Sequence, residues 1–352
     1  MTLSRERPHW RELLARAVTT PDALTARFPI DVNGVRGVVS RFPMRINPYY
    51  LELIREIGDP VYRQCVPDPA EVEDDRGLDD PLNEEGLSPV PGLTHRYRNR
   101  VLFLISSECA VYCRFCNRKR KVGRAAMTTP ESIDRGLGYI RDHSEVRDVL
   151  LSGGDPLLLE DEALGRILIR LRRIRHVEII RIGTRVPCTL PRRVTPRLAD
   201  MLKQFHPLYV NTHFNHPTEV TREAARACGL LADAGIPLGC QTVLLRGVND
   251  DAAVLGELMQ KLLAVRVRPY YLFQGDLAGG TAHFWTPLKQ GIRIMGELQG
   301  HLSGLCVPHF AIDLPGGGGK VRLMPESIAG TKDGHLLVKN YQGKVYRFPD
   351  IS

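Results

Sequence analysis

The chain has 352 residues, 43% hydrophobic and 25% charged, ordinary globular usage that excludes a disordered chain and a disulfide-held miniprotein. Lys and Arg number 48 against 40 Asp and Glu, a formal net charge of +8. With 7% aromatic residues, so mild and dispersed an excess leaves a nucleic-acid partner only a minor hypothesis.

The first twenty residues, MTLSRERPHWRELLARAVTT, lack the apolar core of a secretory signal, and no run approaches the ~18 uncharged apolar residues of a membrane span. A cytoplasmic location with no membrane partner is therefore expected. Residues 1 to about 65 are predicted helical: apolar positions recur at three- and four-residue spacing over Trp10 to Val18, and Pro48 opens the run Tyr49 to Ile57 as a first-turn proline. Residues 66 to 94 are acidic and proline-rich without a period, which predicts a loop or extended wrap.

Beyond it, short apolar runs alternate with amphipathic stretches: VLFLIS (101–106), DVLLSGG (148–154), VEIIRIGT (177–184), LYVNTH (208–213), LGCQTVLL (238–245) and YYLFQ (270–274). Thr129 ahead of Pro130 and Thr218 ahead of Glu219 are expected helix starts. Six βα units in a row predict a parallel sheet, an incomplete barrel rather than a full eight-fold one, with an open doubly wound sheet as the fallback. A strand HFAIDL and a terminal hairpin HLLVKNYQGKVYRF, turning at Gln342-Gly343, follow. The fold class is α/β: a partial (β/α)6 TIM-type barrel with an N-terminal helical extension and a short C-terminal β segment. The expected division is 1–94 extension and acidic wrap, 95–285 barrel, 286–352 C-terminal segment.

Eight cysteines in such a chain are expected to be free, metal-bound or catalytic. Cys109, Cys113 and Cys116 form a C-x3-C-x2-C arrangement directly after the first barrel strand. Three thiolates can hold three irons of a cubane and leave the fourth open, whereas structural zinc sites usually want four ligands. Cys65, Cys188, Cys228, Cys240 and Cys306 are assigned as small buried hydrophobes. The triad resembles that of the radical S-adenosyl-L-methionine (SAM) superfamily, whose partial barrels carry a [4Fe-4S] cluster there; SAM caps the open iron and its reductive cleavage yields a deoxyadenosyl radical. Ser152-Gly153-Gly154-Asp155, after the second strand, matches the superfamily's SAM-binding segment, where glycines admit close backbone approach.

Asp313-Leu314-Pro315-Gly316-Gly317-Gly318-Gly319-Lys320 lacks the Walker A spacing, because Leu314 and Val321 stand where Gly and Ser or Thr would be needed. A lysine held away from water would instead suit Schiff-base formation with pyridoxal 5′-phosphate (PLP). This segment, with LSPVPGLTHRYRNRVLFLI and VRPYYLFQGDLAGGTAHFWTPL, closely resembles the lysine 2,3-aminomutase family of radical SAM enzymes from about residue 85 onward. The resemblance implies that Lys320 is the PLP lysine, that Arg96, Tyr97 and Arg100 hold PLP, and that His213 and Gln241 join Ser152, Gly153, Gly154 and Asp155 at SAM. Arg98-Asn99 departs from the family's usual Pro-Asp, which leaves the shape of that loop open.

The implied activity is that of an isomerase: hydrogen abstraction from Cβ, migration of the α-nitrogen through a three-membered aza ring, and return of hydrogen, with SAM regenerated. Arg118 matches the arginine for the substrate carboxylate, and Asp276 and Asp313 the two carboxylates for the lysine ε-ammonium, a pair that glutamate-specific relatives lack. L-lysine converted to β-lysine is the leading expectation. Arginine as substrate, the branch that modifies an elongation factor, and a basic RNA-binding iron–sulfur protein are the alternatives. An electron donor such as flavodoxin or ferredoxin is implied, and a homo-oligomer is allowed. No cysteine follows Cys306, so the C-terminal zinc cluster of longer relatives is not expected.

Overall fold

Strands too apolar to face water on either side need helices over them, and the chain meets that need by alternating the two. The computed structural model describes residues 9–124, 128–333 and 335–349; the first eight residues of the expected N-terminal extension and the last three of the C-terminal segment lie outside that range. One nine-stranded sheet runs in chain order through β1 (Leu93–Tyr97), β2 (Arg100–Ser106), β3 (Asp148–Gly153), β4 (Ile179–Gly183), β5 (Leu208–His213), β6 (Leu238–Leu244), β7 (Arg268–Gln274), β8 (His309–Leu314) and β9 (Gly319–Arg322). β2 to β8 are parallel. A helix lies between each successive pair of them, from Pro130–Asp142 to Leu288–Leu298. This is the partial barrel, and HFAIDL is its last parallel strand rather than a separate element.

The alternation that defines the barrel is plain in β6, where Leu238, Cys240, Thr242 and Leu244 are buried while Gly239, Gln241 and Val243 face the interior. The buried positions meet the covering helices in one continuous core that also includes Trp10, Tyr50 and Val61 of the N-terminal extension. Cys65, Cys188, Cys228, Cys240 and Cys306 are all buried and free.

The edges of the sheet are antiparallel. β1 and β2 form a hairpin in which Tyr97 pairs with Arg100, so Arg98 and Asn99 are the two residues of its turn. At the other edge β9 folds back on β8. The two edges meet through side chains: the Lys320 backbone N–H donates to Tyr97 Oη at 2.9 Å, and Arg96 pairs with Asp313 at 3.4 Å. Beyond the seam, β10 (Ile328–Lys332), β11 (His335–Lys339) and β12 (Val345–Pro349) form a small antiparallel sheet, which adds one strand to the predicted terminal hairpin.

Several helix boundaries differ from expectation. Thr129 caps Pro130–Asp142 through reciprocal bonds with Ser132, as predicted. Thr218 does not start a helix. Glu219 turns inward to accept from Asn215 and His216, the segment Pro217–Glu219 closes a single 3₁₀ turn, and Thr221 caps the helix Arg222–Asp233. The run after Pro48 is one turn, Pro48–Leu51, because Asp59 accepts from the Arg55 and Glu56 backbones and caps a second helix, Pro60–Cys65, a local competition with the helical ladder. Within the wrap, Ala70–Glu73 is helical. Among the described residues no helix is long and apolar enough to cross a membrane.

Candidate active site

The cysteine loop leaves β2 and is clamped from outside by the N-terminal extension. Tyr112 N–H donates to Arg45 O at 2.9 Å, and Arg114 N–H to Gln64 O at 2.9 Å. The buried Arg114 guanidinium pairs with the equally buried Glu71 at 2.5 Å. Residues 112 and 114 thus face the extension, and Cys109, Cys113 and Cys116 line the barrel cavity, whose volume is about 620 Å³, within the ~300–1,000 Å³ of small-molecule sites. Burial pushes the Cys109 thiol well up and Cys116 to about 11, as expected of thiols with too little positive charge beside them. Among the described residues no group of three or more His, Cys, Asp or Glu side chains stands as a ligand set for one ion. Thiolates that each meet a different iron of a cluster need no common point, so the triad fits a cubane.

Ser152, Gly153, Gly154 and Asp155 follow β3 along the same cavity. The glycines serve the fold at close range: a Cβ on Gly153, whose φ is +145°, would lie 2.1 Å from Ser106 O, and one on Gly154 would lie 2.4 Å from Glu108 O. Their backbone seats β3 against the root of the cysteine loop, with Gly154 N–H on Ser106 O and Asp155 N–H on Glu108 O, both at 2.7 Å. Asp155 is 3% exposed. It accepts from Thr184 Oγ1 at 2.6 Å and from the backbones of Leu157, Arg185 and Val186, tying the β3 turn to the β4 turn, and burial pushes its carboxyl up to about 6. His213, half-buried at the end of β5, donates from Nε2 to Asn215 Oδ1 at 3.0 Å and stacks on Phe115 with ring centroids 5.5 Å apart. Burial, then the nearby Arg185 charge, holds it neutral, down at about 3. Gln241 donates to Tyr270 Oη.

At the seam, left-handed glycines at 316, 317 and 319 make the reversal from β8 to β9, and a Cβ on Gly317 would meet Leu87 at 2.8 Å. The reversal sets Asp313 directly opposite Lys320. Lys320 Nζ lies 2.8 and 3.1 Å from the Asp313 oxygens and 4.8 Å from the Phe273 ring centroid. The side chain is 34% exposed and ion-paired, so it is only partly withdrawn from water, less than the sequence suggests. Arg96 donates to Leu82 O at 2.7 Å, while its buried Nε has no partner among the described residues. Arg100 stacks 3.9 Å from the Tyr97 ring centroid. An orphaned guanidinium donor, a second arginine on a tyrosine ring and an accessible lysine fit an aromatic phosphate such as PLP.

Asp276 follows β7. Burial first, and the neighbouring Asp313 second, push its carboxyl up to about 6, opposed by Asn117, Lys320 and Arg118. Arg118 gives Nε and Nη2 to Glu84 at 3.0 and 2.6 Å. Its Nη1 reaches Ser152 Oγ only at 3.5 Å. The cavity therefore brings together every residue singled out from the sequence. Sequence reasoning missed Glu84, Asn117 and Arg185. Asn117 donates to Asp276 at 2.8 Å, and Arg185 to Cys113 Sγ at 2.8 Å. No local signal distinguishes them from loop polar residues.

Residues 103–256 match the model of the radical SAM superfamily, and residues 295–351 that of lysine-2,3-aminomutase. An L-lysine 2,3-aminomutase of Clostridium subterminale is 49% identical over 348 residues, 97% of this chain and 84% of that protein. One of Bacillus subtilis is 42% identical over 97% of this chain and 74% of its own length. A glutamate 2,3-aminomutase of Clostridioides difficile is 42% identical over 90% and 76% of the two chains. Likeness that spans the extension, the barrel and the seam alike leaves one assignment: the chain belongs to the lysine 2,3-aminomutase family of the radical SAM superfamily.

Proposed function

We propose that this radical SAM aminomutase acts on L-lysine and moves its α-amino group to C3, giving β-lysine. The observation that carries the choice of lysine is the pair Asp276 and Asp313 in the cavity that also holds Lys320 and the cysteine triad. Asp313 lies close enough to Asp276 to raise its proton affinity, so the pair stores unfavourable charge that a substrate cation relieves. A glutamate side chain would add a third negative group. Charge at this end of the cavity is what separates the two substrates, since the relatives include enzymes named for each of them.

In this reading Cys109, Cys113 and Cys116 hold a [4Fe-4S] cluster, and Ser152, Gly153, Gly154, Asp155, His213 and Gln241 line the SAM side of the cavity. Arg96, Tyr97, Arg100 and Lys320 hold PLP. When bound, cluster and SAM supply a hydrogen-atom acceptor, and PLP a π-system that can carry nitrogen. The chain's own residues do the rest. Arg118, held by Glu84 through Nε and Nη2, presents Nη1 to the substrate carboxylate. Asp276, oriented by Asn117, takes the ε-ammonium. Asp313 shares its charge between that ammonium and Lys320, so the ammonium of Lys320 keeps a counter-ion whenever it is free. His213, kept neutral, offers a hydrogen bond without adding charge beside the cysteines. A one-electron donor such as flavodoxin or ferredoxin completes the system.

The test is anaerobic reconstitution with iron, sulfide, SAM, PLP and dithionite, then mass spectrometry of incubations with lysine, arginine, glutamate and alanine. β-Lysine as the main product supports the reading. β-Arginine or β-glutamate in its place would overturn the substrate, and no β-amino acid from any of the four would overturn the activity.

A further inference from the structure

Arg185 lies at the C-terminal end of β4 with its guanidinium buried. Nη1 donates to Cys113 Sγ at 2.8 Å. Nη2 is surrounded by three oxygens: Gln64 Oε1 at 2.5 Å, Glu219 Oε1 at 2.8 Å and Tyr50 Oη at 3.2 Å. Tyr50 in turn donates to Glu219 Oε1 at 2.5 Å, and Asn215 Nδ2 to Gln64 Oε1 at 3.0 Å. The other Glu219 oxygen accepts from the Asn215 and His216 backbones at 2.6 and 2.9 Å. Tyr50, Gln64 and Glu219 are each 0% exposed. A buried ion pair with every oxygen occupied contributes little net stability compared with an apolar core, so stability does not account for it. Its geometry does one definite thing: it stops the guanidinium from leaving the Cys113 sulfur.

Two of the three holding groups come from the N-terminal extension, Tyr50 from Pro48–Leu51 and Gln64 from Pro60–Cys65. Gln64 acts twice, since its backbone carbonyl also fixes the cysteine loop through Arg114 N–H. We infer that Tyr50, Gln64 and Glu219 are positioning residues that hold Arg185 on the Cys113 sulfur, so that the extension sets the reduction potential of the cluster. The inference rests on the reading of Cys113 as a cluster ligand. A donor on a ligating sulfur spreads the negative charge that arrives with one electron, and so makes the cluster easier to reduce.

The experiment is a potentiometric titration with dithionite, followed by EPR, on the anaerobically reconstituted full chain, with iron and sulfide counted for each variant. Wild type is compared with Tyr50→Phe, Gln64→Leu, Arg185→Met and Arg185→Lys. All are expected to hold wild-type iron while the midpoint potential moves to more negative values, least in Tyr50→Phe and most in Arg185→Met, with Arg185→Lys recovering part of the shift. A wild-type potential in iron-replete Arg185→Met overturns the inference. Should that variant not fold, Tyr50→Phe, which deletes one oxygen, decides by the same criterion. A wild-type chain that shows no reducible cluster overturns the cluster reading itself, and this inference with it.

Discussion

Replacing Asp276 by Asn removes a charge and keeps the shape. The Asn side chain can still accept from Asn117, which donates to Asp276 at 2.8 Å, so the local frame is retained. On the proposed reading, what is lost is the anion that faces the ε-ammonium. Removing one partner of a desolvated charge pair costs about 2 to 5 kcal/mol. Because Asp313 remains beside the site and the cavity is open to water, the lower part of that range applies. A loss of about 2 to 3 kcal/mol corresponds to about 30- to 150-fold in the apparent constant for lysine. Asp313→Asn is expected to cost at least as much, since it also strips the partners at 2.8 Å from Lys320 and 3.4 Å from Arg96. The assay is the initial rate of β-lysine formation against lysine concentration, with SAM cleavage and PLP loading measured separately and expected to survive in Asp276→Asn. Lysine handled by Asp276→Asn as by the wild type would refute the reasoning, because the charge would then have no part in recognition.

Borohydride reduction of the PLP-loaded chain should fix the cofactor on the peptide that contains Lys320; label on any other lysine removes Lys320 from that role. Lysine affinity should fall as pH drops through about 6, where Asp276 takes up a proton, and calorimetry at several pH values that finds a flat profile would contradict this. The sign for stability is opposite: a carboxyl raised from 3.8 to about 6 contributes stability that is fully present below about 3.8 and lost as pH rises through about 6. Gly153→Ala forces a Cβ to within 2.1 Å of Ser106 O at φ +145°, and should lower stability to urea by about 2 to 4 kcal/mol; a wild-type midpoint would show that the β3 turn can move aside.

What was legible from the sequence is what the chain encodes over short distances. The parallel strands follow from apolar runs of the right length, and Thr129 caps its helix through Ser132, three residues on. The pairing of Asp313 with Lys320 was not legible in this way, because four consecutive glycines permit many backbone paths and only the register of β8 with β9 sets the two residues opposite each other. The glycine pair after β3 was legible as a place of close approach, although the approaching groups inside the protein are the Ser106 and Glu108 carbonyls. Missed residues share the opposite property. Arg185 meets a cysteine 72 positions away, Asn117 an aspartate 159 away, and Glu84 an arginine 34 away. In one dimension each is a loop arginine, asparagine or glutamate, the residue types most often found in water. The acidic wrap shows the cost of that ambiguity. Its charges suggest a solvated strand of chain, yet Glu84 fixes Arg118, Leu82 O takes Arg96, and Pro81 O accepts Gly316 N–H at 3.0 Å. The wrap therefore touches the cysteine loop, β1 and the glycine reversal at once. A barrel left open between β1 and β9 needs something to hold its two edges at a fixed separation, and this segment, with Tyr97 and Arg96 reaching across to Lys320 and Asp313, supplies it beside Lys320.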